Sequence, residues 1–465
     1  MNKAFPNCRT KGTPTEQTCA QQIGQYVAQG SCNHPPNVLE CAQRAFVDTL
    51  GCMYLGTNHP DTQTVLATIR DWGTGDRPIL GTSERRPAPW AALVNGTSAH
   101  AYDFDDWEDP GITHGSAAIF PALLALADEQ TSIEAFLDAW VVGTEVIMRI
   151  GQAVNMTHYE LGWHTTNTLG AIGAAAACAR LVTLDAAAAS RAISLSTSMV
   201  GGFTSQFGTT AKPLHAGLAA KTGVISASMA ARGATAQTAI FEEDAGFLKA
   251  MTHARADQLS ASLKLLGKAY AITEFGLHIK RYPSCGCTHL VVEACENLRA
   301  AESFQPSDIA RVETVISDIA LSVLPYGVPK NRTEALFSVP WCAAVALVDG
   351  GVGVASFQPE TLNRQDLLAL SARISVEEHP RSPGLAFHPD FPDQVTVHLT
   401  DGRCFTDSIA YPIGSPQRPL KQADLKAKFL DNATFDCLPH VRAEAMFDMV
   451  FDTTSERTLG DLFGT

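Results

Sequence analysis

The apolar positions of the first 270 residues recur at three- and four-residue spacing. Val38, Leu39, Cys41, Ala42, Ala45, Phe46 and Leu50 form one stripe, the pattern of a helix with a single buried face. Gly51 and Gly56 are expected to end it. The same rhythm runs through 118–128 and 133–149, with Thr131 and Ser132 placed to cap the second. Another helix is predicted from Pro89, since proline is favoured in a first turn. Residues 169–180 are rich in Ala and Gly, which predicts a buried helix that a neighbour can approach closely. Near residue 275 the period falls to two. Residues 311–317, 372–377 and 394–400 alternate polar and apolar, and Asp401-Gly402 reads as a hairpin turn. Helical patterns at 288–300 and 338–347 lie among these strands, and helix returns over 420–465. The predicted class is mainly α. A large all-helical domain is expected from 15–272 and 412–465, a smaller α+β lid domain from 273–411, and a disordered tail over 1–14.

Composition narrows the function. A chain of 465 residues allows two or three domains at about 150 residues each, and the pattern selects two. Hydrophobic residues reach 45% against 18% charged, enough for large cores. The 34 basic and 48 acidic residues give a net charge of −14, and no Lys/Arg run exceeds two. Nucleic acid is therefore not an expected partner. No apolar stretch reaches the length of a membrane span, so no membrane partner is expected. The first ten residues lack the apolar core of a secretory signal. The expected location is cytoplasmic, or the mitochondrial matrix if the source is eukaryotic. Most of the twelve cysteines have apolar neighbours, as Cys52, Cys178 and Cys342 do, and read as reduced small hydrophobes. Neither a dinucleotide fingerprint nor a P-loop is present. Cys285-Gly286-Cys287 has no second pair to complete a zinc site. No cofactor and no metal are expected.

Four clusters hold the candidate chemistry. Tyr102-Asp103-Phe104-Asp105-Asp106-Trp107-Glu108-Asp109 gathers carboxylates, and Thr113-His114 follows. Such a set suits proton transfer or a hard cation, and also reads as a solvated acidic loop. Trp163-His164 precedes the Ala/Gly helix, which 165–168 could cap; His164 beside that N-terminus is biased to the neutral form, or is a satisfied core histidine. Lys212-Pro213-Leu214-His215 places a lysine in the loop before a helix that Pro213 opens. That position makes sense if the lysine faces an anion; a surface lysine is the plain alternative. The segment from His278 to His289, with Lys280-Arg281-Tyr282-Pro283-Ser284-Cys285 within it, sets two cations at the start of the lid, where domain junctions favour pockets. Cys285 reads either as a low-pKa thiol near these cations or as an inert buried one. Together the clusters suit a small di- or tricarboxylate substrate, with lysines on its carboxylates and His or Asp moving a proton alpha to one.

In order along the chain, Asp103-Phe104-Asp105-Asp106, Thr113-His114-Gly115, Gly162-Trp163-His164, Lys212-Pro213-Leu214-His215-Ala216-Gly217 and Lys280-Arg281-Tyr282-Pro283 resemble the MmgE/PrpD family. That family includes 2-methylcitrate dehydratase, cis-aconitate decarboxylase and iminodisuccinate epimerase. The resemblance spans about residues 20–450 and lies closest to the decarboxylase branch. It implies a helical domain with an α+β lid, a homodimer, a site between the domains and no essential metal. By position, Asp103, His114, His164, Lys212 and Lys280 match active-site residues, with Thr113, His215, Arg281, Tyr282 and Cys285 as substrate-binding candidates. Cys285 stands where animal decarboxylases carry histidine; the fungal ones are similar to this chain there. The stretch from Asp106 to Thr113 is one residue longer than in the animal enzymes. The expected activity is a cofactor-independent lyase, a decarboxylase or dehydratase of a tricarboxylic acid such as cis-aconitate or 2-methylcitrate. An iminodisuccinate-type epimerase, a metal-dependent hydrolase and a non-catalytic binding protein of the same fold are the alternatives.

Overall fold

The computed structural model describes residues 17–380, 386–452 and 456–464; the expected tail over 1–14 lies outside them. Six helices form the frame of the larger unit: α1 (Pro36–Gly56), α2 (Ala88–His100), α3 (Gly115–Leu126), α4 (Ile133–Val154), α5 (Thr165–Leu181) and α6 (Ala211–Ala231). Small residues decide how tightly they pack. A Cβ on Gly217 would sit 2.2 Å from the Leu93 carbonyl oxygen, and one on Gly96 would lie 2.8 Å from the Gly217 Cα. At that crossing α2 and α6 meet backbone to backbone. The Ala/Gly run of α5 is buried from Thr165 to Ala179, as its composition predicts.

Several boundaries differ from the sequence expectation. Helix α1 runs through Gly51 and stops at Gly56, because the ring of Phe429 packs over Gly51 and tertiary contact outweighs the glycine's weak helix propensity. Ser132 caps α4 by accepting from the Ala135 N–H, whereas Thr131 turns to the Asp128 N–H. Helix α5 begins at Thr165 and places residues 165–168 in its first turn, with His164 at the N-cap position. Helix α6 begins at Ala211, so Lys212 lies inside the first turn rather than in the loop before it. Pro213 is tolerated there because first-turn N–H groups have no intrahelical acceptor to lose.

The smaller unit holds helices α7 (His289–Ala301) and α8 (Val339–Asp349) and strands β1 (Ile309–Ile316), β2 (Ile374–Glu378), β3 (Asp393–Leu399) and β4 (Cys404–Ile409). Their order in the sheet is β2-β1-β3-β4. β1 pairs in parallel with β2, Val312 opposite Ile374, and antiparallel with β3, Val312 opposite Val397. The hairpin from β3 to β4 turns at Gly402, whose φ of +89° favours glycine. Ile309, Val312, Ile316, Val395, Val397 and Leu399 are buried against α7 and α8.

Two main cores result. One joins residues from Cys19 to Ile279 with residues from Leu420 to Leu462; the other lies between Tyr282 and Ile409. The returning chain supplies α9 (Gln422–Thr434), which packs on α1. Its buried Lys428 pairs with Asp48 at 2.5 Å, donates to the Phe104 carbonyl at 2.7 Å and lies 3.9 Å from the centre of the Phe104 ring. No helix among the described residues is long and apolar enough to cross a membrane.

Because the α2–α6 crossing has no room for a side chain, Gly217→Val is expected to destabilise the protein by about 1–3 kcal/mol or more. Urea unfolding should show a lower midpoint, whereas Gly353→Val, with open space around its Cβ position, should unfold like the parent.

Candidate functional site

Between the two cores lies a cavity of about 290 Å³ whose lining includes Asp103, His114, His164, Lys212, Lys280 and Cys285. Four chain segments far apart in sequence, 103–114, 164, 212 and 280–285, thus meet. The α2–α6 crossing brings the end of one helix to the start of the other, so His100, the last residue of α2, faces Lys212 in the first turn of α6. The turn after α2 carries Asp103 at φ +50°, a left-handed conformation that Asp adopts more readily than most residues.

Asp103 is the hub. Its Oδ1 accepts from Lys212 Nζ at 2.6 Å and lies 3.0 Å from Lys280 Nζ. Lys280 also donates to the Asp103 carbonyl at 2.5 Å. The sequence suggested that Lys212 faces an anion, and in the structure that anion is the protein's own. Lys212 gives a second N–H to His100 Nε2 at 2.8 Å. His100 must then carry its proton on Nδ1, which lies 2.8 Å from Asp105 Oδ1. Asp105 Oδ2 stands 3.1 Å from His114 Nδ1. His164 Nδ1 lies 2.8 Å from His215 Nδ1, leaving the other ring nitrogen of His164 for the cavity. An ammonium has three donors, so each lysine keeps one beyond its contacts among the described residues. Aromatic rings flank both: Lys212 lies 5.3 and 5.2 Å from the Phe207 and Phe337 ring centres, and Lys280 5.6 Å from Trp107.

Burial and charge set the protonation states. Burial acts to raise Asp103, but the ammonium groups of Lys212 and Lys280 outweigh it and hold the carboxyl below its ordinary range. Burial works the same way on Asp105, which His100 and His114 hold far down. Burial pushes His100 down to about 4, with Asp105 opposing and Lys212 reinforcing. His114 and His164 are lowered chiefly by burial, and Lys212 presses His164 further. Burial acts to lower Lys280, yet Asp103 raises it above its ordinary value. The site is thus two cations, two carboxylates and a set of neutral imidazoles.

Four of the sequence candidates lie outside the cavity lining. Thr113 is buried in the turn of the longer loop, where its backbone pairs with Glu108. Glu108 itself accepts from the Gly111 N–H at 2.7 Å and tightens that loop. His215 stands one step behind, holding His164. Arg281 points away, its side chain 42% exposed and 3.5 Å from Glu296. Tyr282 donates to the same Glu296 at 2.7 Å. Trp107, Asp109 and His278, members of the acidic and Lys280 clusters, also line the cavity, as do Phe207 and Phe337, which were not singled out in the sequence. His278 stacks on Trp107 with ring centres 4.3 Å apart and planes at 11°, and its Nε2 lies 2.8 Å from Asp109 Oδ2. His100 was missed as well, although its place three residues before Asp103 was a usable signal.

His100, Asp103, Asp105 and His114 present ligand-type atoms within 4.8 Å of one another. Their chemistry suits ammonium groups better than a divalent cation. Asp103 Oδ1 already serves two lysines, whose charges would repel a metal at close range.

The profile of the MmgE/PrpD N-terminal domain matches residues 21–259, and that of the MmgE/PrpD C-terminal domain matches 282–452. The chain belongs to the MmgE/PrpD family. Among its MmgE/PrpD relatives, the cis-aconitate decarboxylase of Homo sapiens is 29% identical over 419 residues, 85% of this chain and 84% of that protein. The cis-aconitate decarboxylase of Aspergillus terreus is 26% identical over 404 residues, 82% of each chain.

The neutral histidines give this MmgE/PrpD fold a pH signature. In the unfolded chain histidine titrates near 6.5, but His100 and His215 are held near 4. Their contribution is whole above pH 6.5 and is lost as pH falls from there towards 4, because the unfolded state then binds the extra protons. The urea midpoint is expected to drop between pH 7 and pH 5, and to drop less in His100→Asn; an unchanged pH dependence in that variant would contradict the assignment.

Proposed function

We propose that the protein is a cofactor-independent lyase acting on a small tricarboxylic acid, with decarboxylation of cis-aconitate the leading reaction and dehydration of 2-methylcitrate the second. The observation that carries this reading is the convergence of Lys212, from α6, and Lys280, from the segment between the two cores, on a cavity that also holds His114 and His164. A cavity near 290 Å³ is at the low end for small-molecule pockets, about 300–1,000 Å³, and suits a compact acid. The decarboxylases among the relatives favour that reaction over epimerisation.

The mechanism follows from the donors. The free N–H of each lysine takes a substrate carboxylate, and the two cations stabilise the enediolate that forms when a neighbouring carbon gains an electron pair. In decarboxylation that pair comes from the breaking C–C bond as CO₂ departs, and a histidine then protonates the carbon. In dehydration a histidine removes the alpha proton, and a second acid protonates the departing hydroxyl. His114 and His164 fill these roles. A bound polyanion raises their proton affinity again, so substrate itself arms the acid. Asp105 orients His114, and Asp103 holds the lysines apart and in register. The homodimer and the non-nucleic-acid, non-membrane character expected from the sequence accompany this reading.

Lys212→Ala and His164→Ala are each expected to lower turnover at least about a hundredfold, the low end for acid–base groups, while remaining folded. NMR of the purified enzyme with cis-aconitate, 2-methylcitrate, citrate and iminodisuccinate should show CO₂ loss from the first. Activity should survive a chelator; turnover lost there and restored by metal would overturn the cofactor-free reading.

A further inference from the structure

Two thiols line the cavity without a part in the proposed proton transfers. Cys285 and Cys287 are both half-buried and share the lining with Lys212 and Lys280. Their backbone is fixed. The Cys285 N–H donates to the Leu336 carbonyl at 3.0 Å, and its carbonyl accepts from Thr288 Oγ1 at 2.8 Å. Gly286 between them lies against Trp107, where a Cβ would come 2.6 Å from the ring. The neighbouring Cys287 thiol acts to lower Cys285, while Cys285 and burial push Cys287 up. At Cys285 burial and Asp103 oppose the lowering, and Lys280 and Lys212 add to it; the net direction is down. The thiols of Cys52, Cys178, Cys295 and Cys342, sunk in apolar surroundings, are all pushed up.

We propose that Cys285 is a covalent modification site for small carboxylate-bearing electrophiles, which the two lysines draw into the cavity beside its sulfur. This rests on the reading of the cavity as a carboxylate site. With an α-halo acid, the thiolate pair forms the S–C bond, the carbon–halogen bond breaks and halide leaves; the thiol proton has gone to water. With an α,β-unsaturated acid, sulfur bonds to the β carbon, the π pair moves to the α carbon, and that carbon takes up the proton the thiol released. Neither step needs an oxidant. In both, the attached carboxylate occupies the ammonium groups and closes the cavity to substrate.

The full-length protein is treated in parallel with iodoacetate and iodoacetamide, and labelling rates are read site by site by peptide mass spectrometry. The exposed Cys32 and Cys404 are internal references for the intrinsic reactivity of the two reagents. At Cys285 the iodoacetate-to-iodoacetamide rate ratio is expected to exceed that at the references by about tenfold or more, the lower end of electrostatic focusing by a charged cleft. Citrate should slow labelling of Cys285 and leave Cys32 unchanged, and Lys280→Met should return the ratio to the reference value. Equal ratios at all three thiols, or labelling of Cys287 in place of Cys285, would overturn the proposal. Selective labelling without turnover of any tricarboxylate would sink the proposed function and leave this site standing; turnover without selective labelling would do the reverse.

Discussion

One carboxylate oxygen bridging two buried ammonium groups is the constraint on which the rest depends. Lys212, in the first turn of α6, and Lys280, in the segment that joins the two cores, are 4% and 2% exposed. Without Asp103 their charges would meet across a cavity that screens them poorly. With it, each lysine is neutralised, oriented and still has a donor left over. The carboxylate is thus a resident anion that holds both cations to one oxygen. The net charge of −14 is an average over the whole molecule and does not describe this local balance.

Small residues make the arrangement possible. The α2–α6 approach at Gly96 and Gly217 aligns His100 with Lys212, and the crowded interior leaves little slack in either position. The chain entering the smaller unit contributes through Lys280 and through the Trp107–His278 stack, where backbone N–H and C=O groups of the two residues also pair. The acidic loop and the segment leading into the α+β unit are therefore sewn together at the cavity wall. Trp107 and Asp109 of the acidic loop both line the cavity.

Much of this was legible in the sequence. Period-3.6 and period-2 stretches separate the helical and mixed segments. The Ala/Gly run marks the central helix, and an isolated lysine near a helix N-terminus suggested a neighbouring anion. Asp103, His114, His164, Lys212 and Lys280 were selected by the ordered motifs shared with the MmgE/PrpD family, since each cluster alone reads as readily as packing or solvated surface. The identity of the anion was hidden, since nothing local ties residue 103 to residues 212 and 280. Arg281 and Tyr282 drew attention by adjacency to Lys280, but both side chains turn to Glu296, away from the cavity. His100 escaped because it stands just outside the acidic cluster and its partner Lys212 comes from a distant helix, and His278, inside the Lys280 cluster, was assigned no role. Gly51 misled for the converse reason: a residue that weakens an isolated helix is kept where an aromatic ring needs its space.

Lys428 carries a consequence for how the molecule comes into being. It emerges late in synthesis, yet it pins the Phe104 carbonyl between the two site aspartates and neutralises Asp48 on α1. A ribosome-bound chain that has made Asp103 lacks both of its lysine partners and this brace, whereas the partners of Asp105, His100 and His114, lie close in sequence. The N-terminal helices can pack early, but the acidic turn must wait, solvated, for the C-terminal part of the chain to arrive. Competence at the site is therefore gained last and all at once, when the returning C-terminal helix docks.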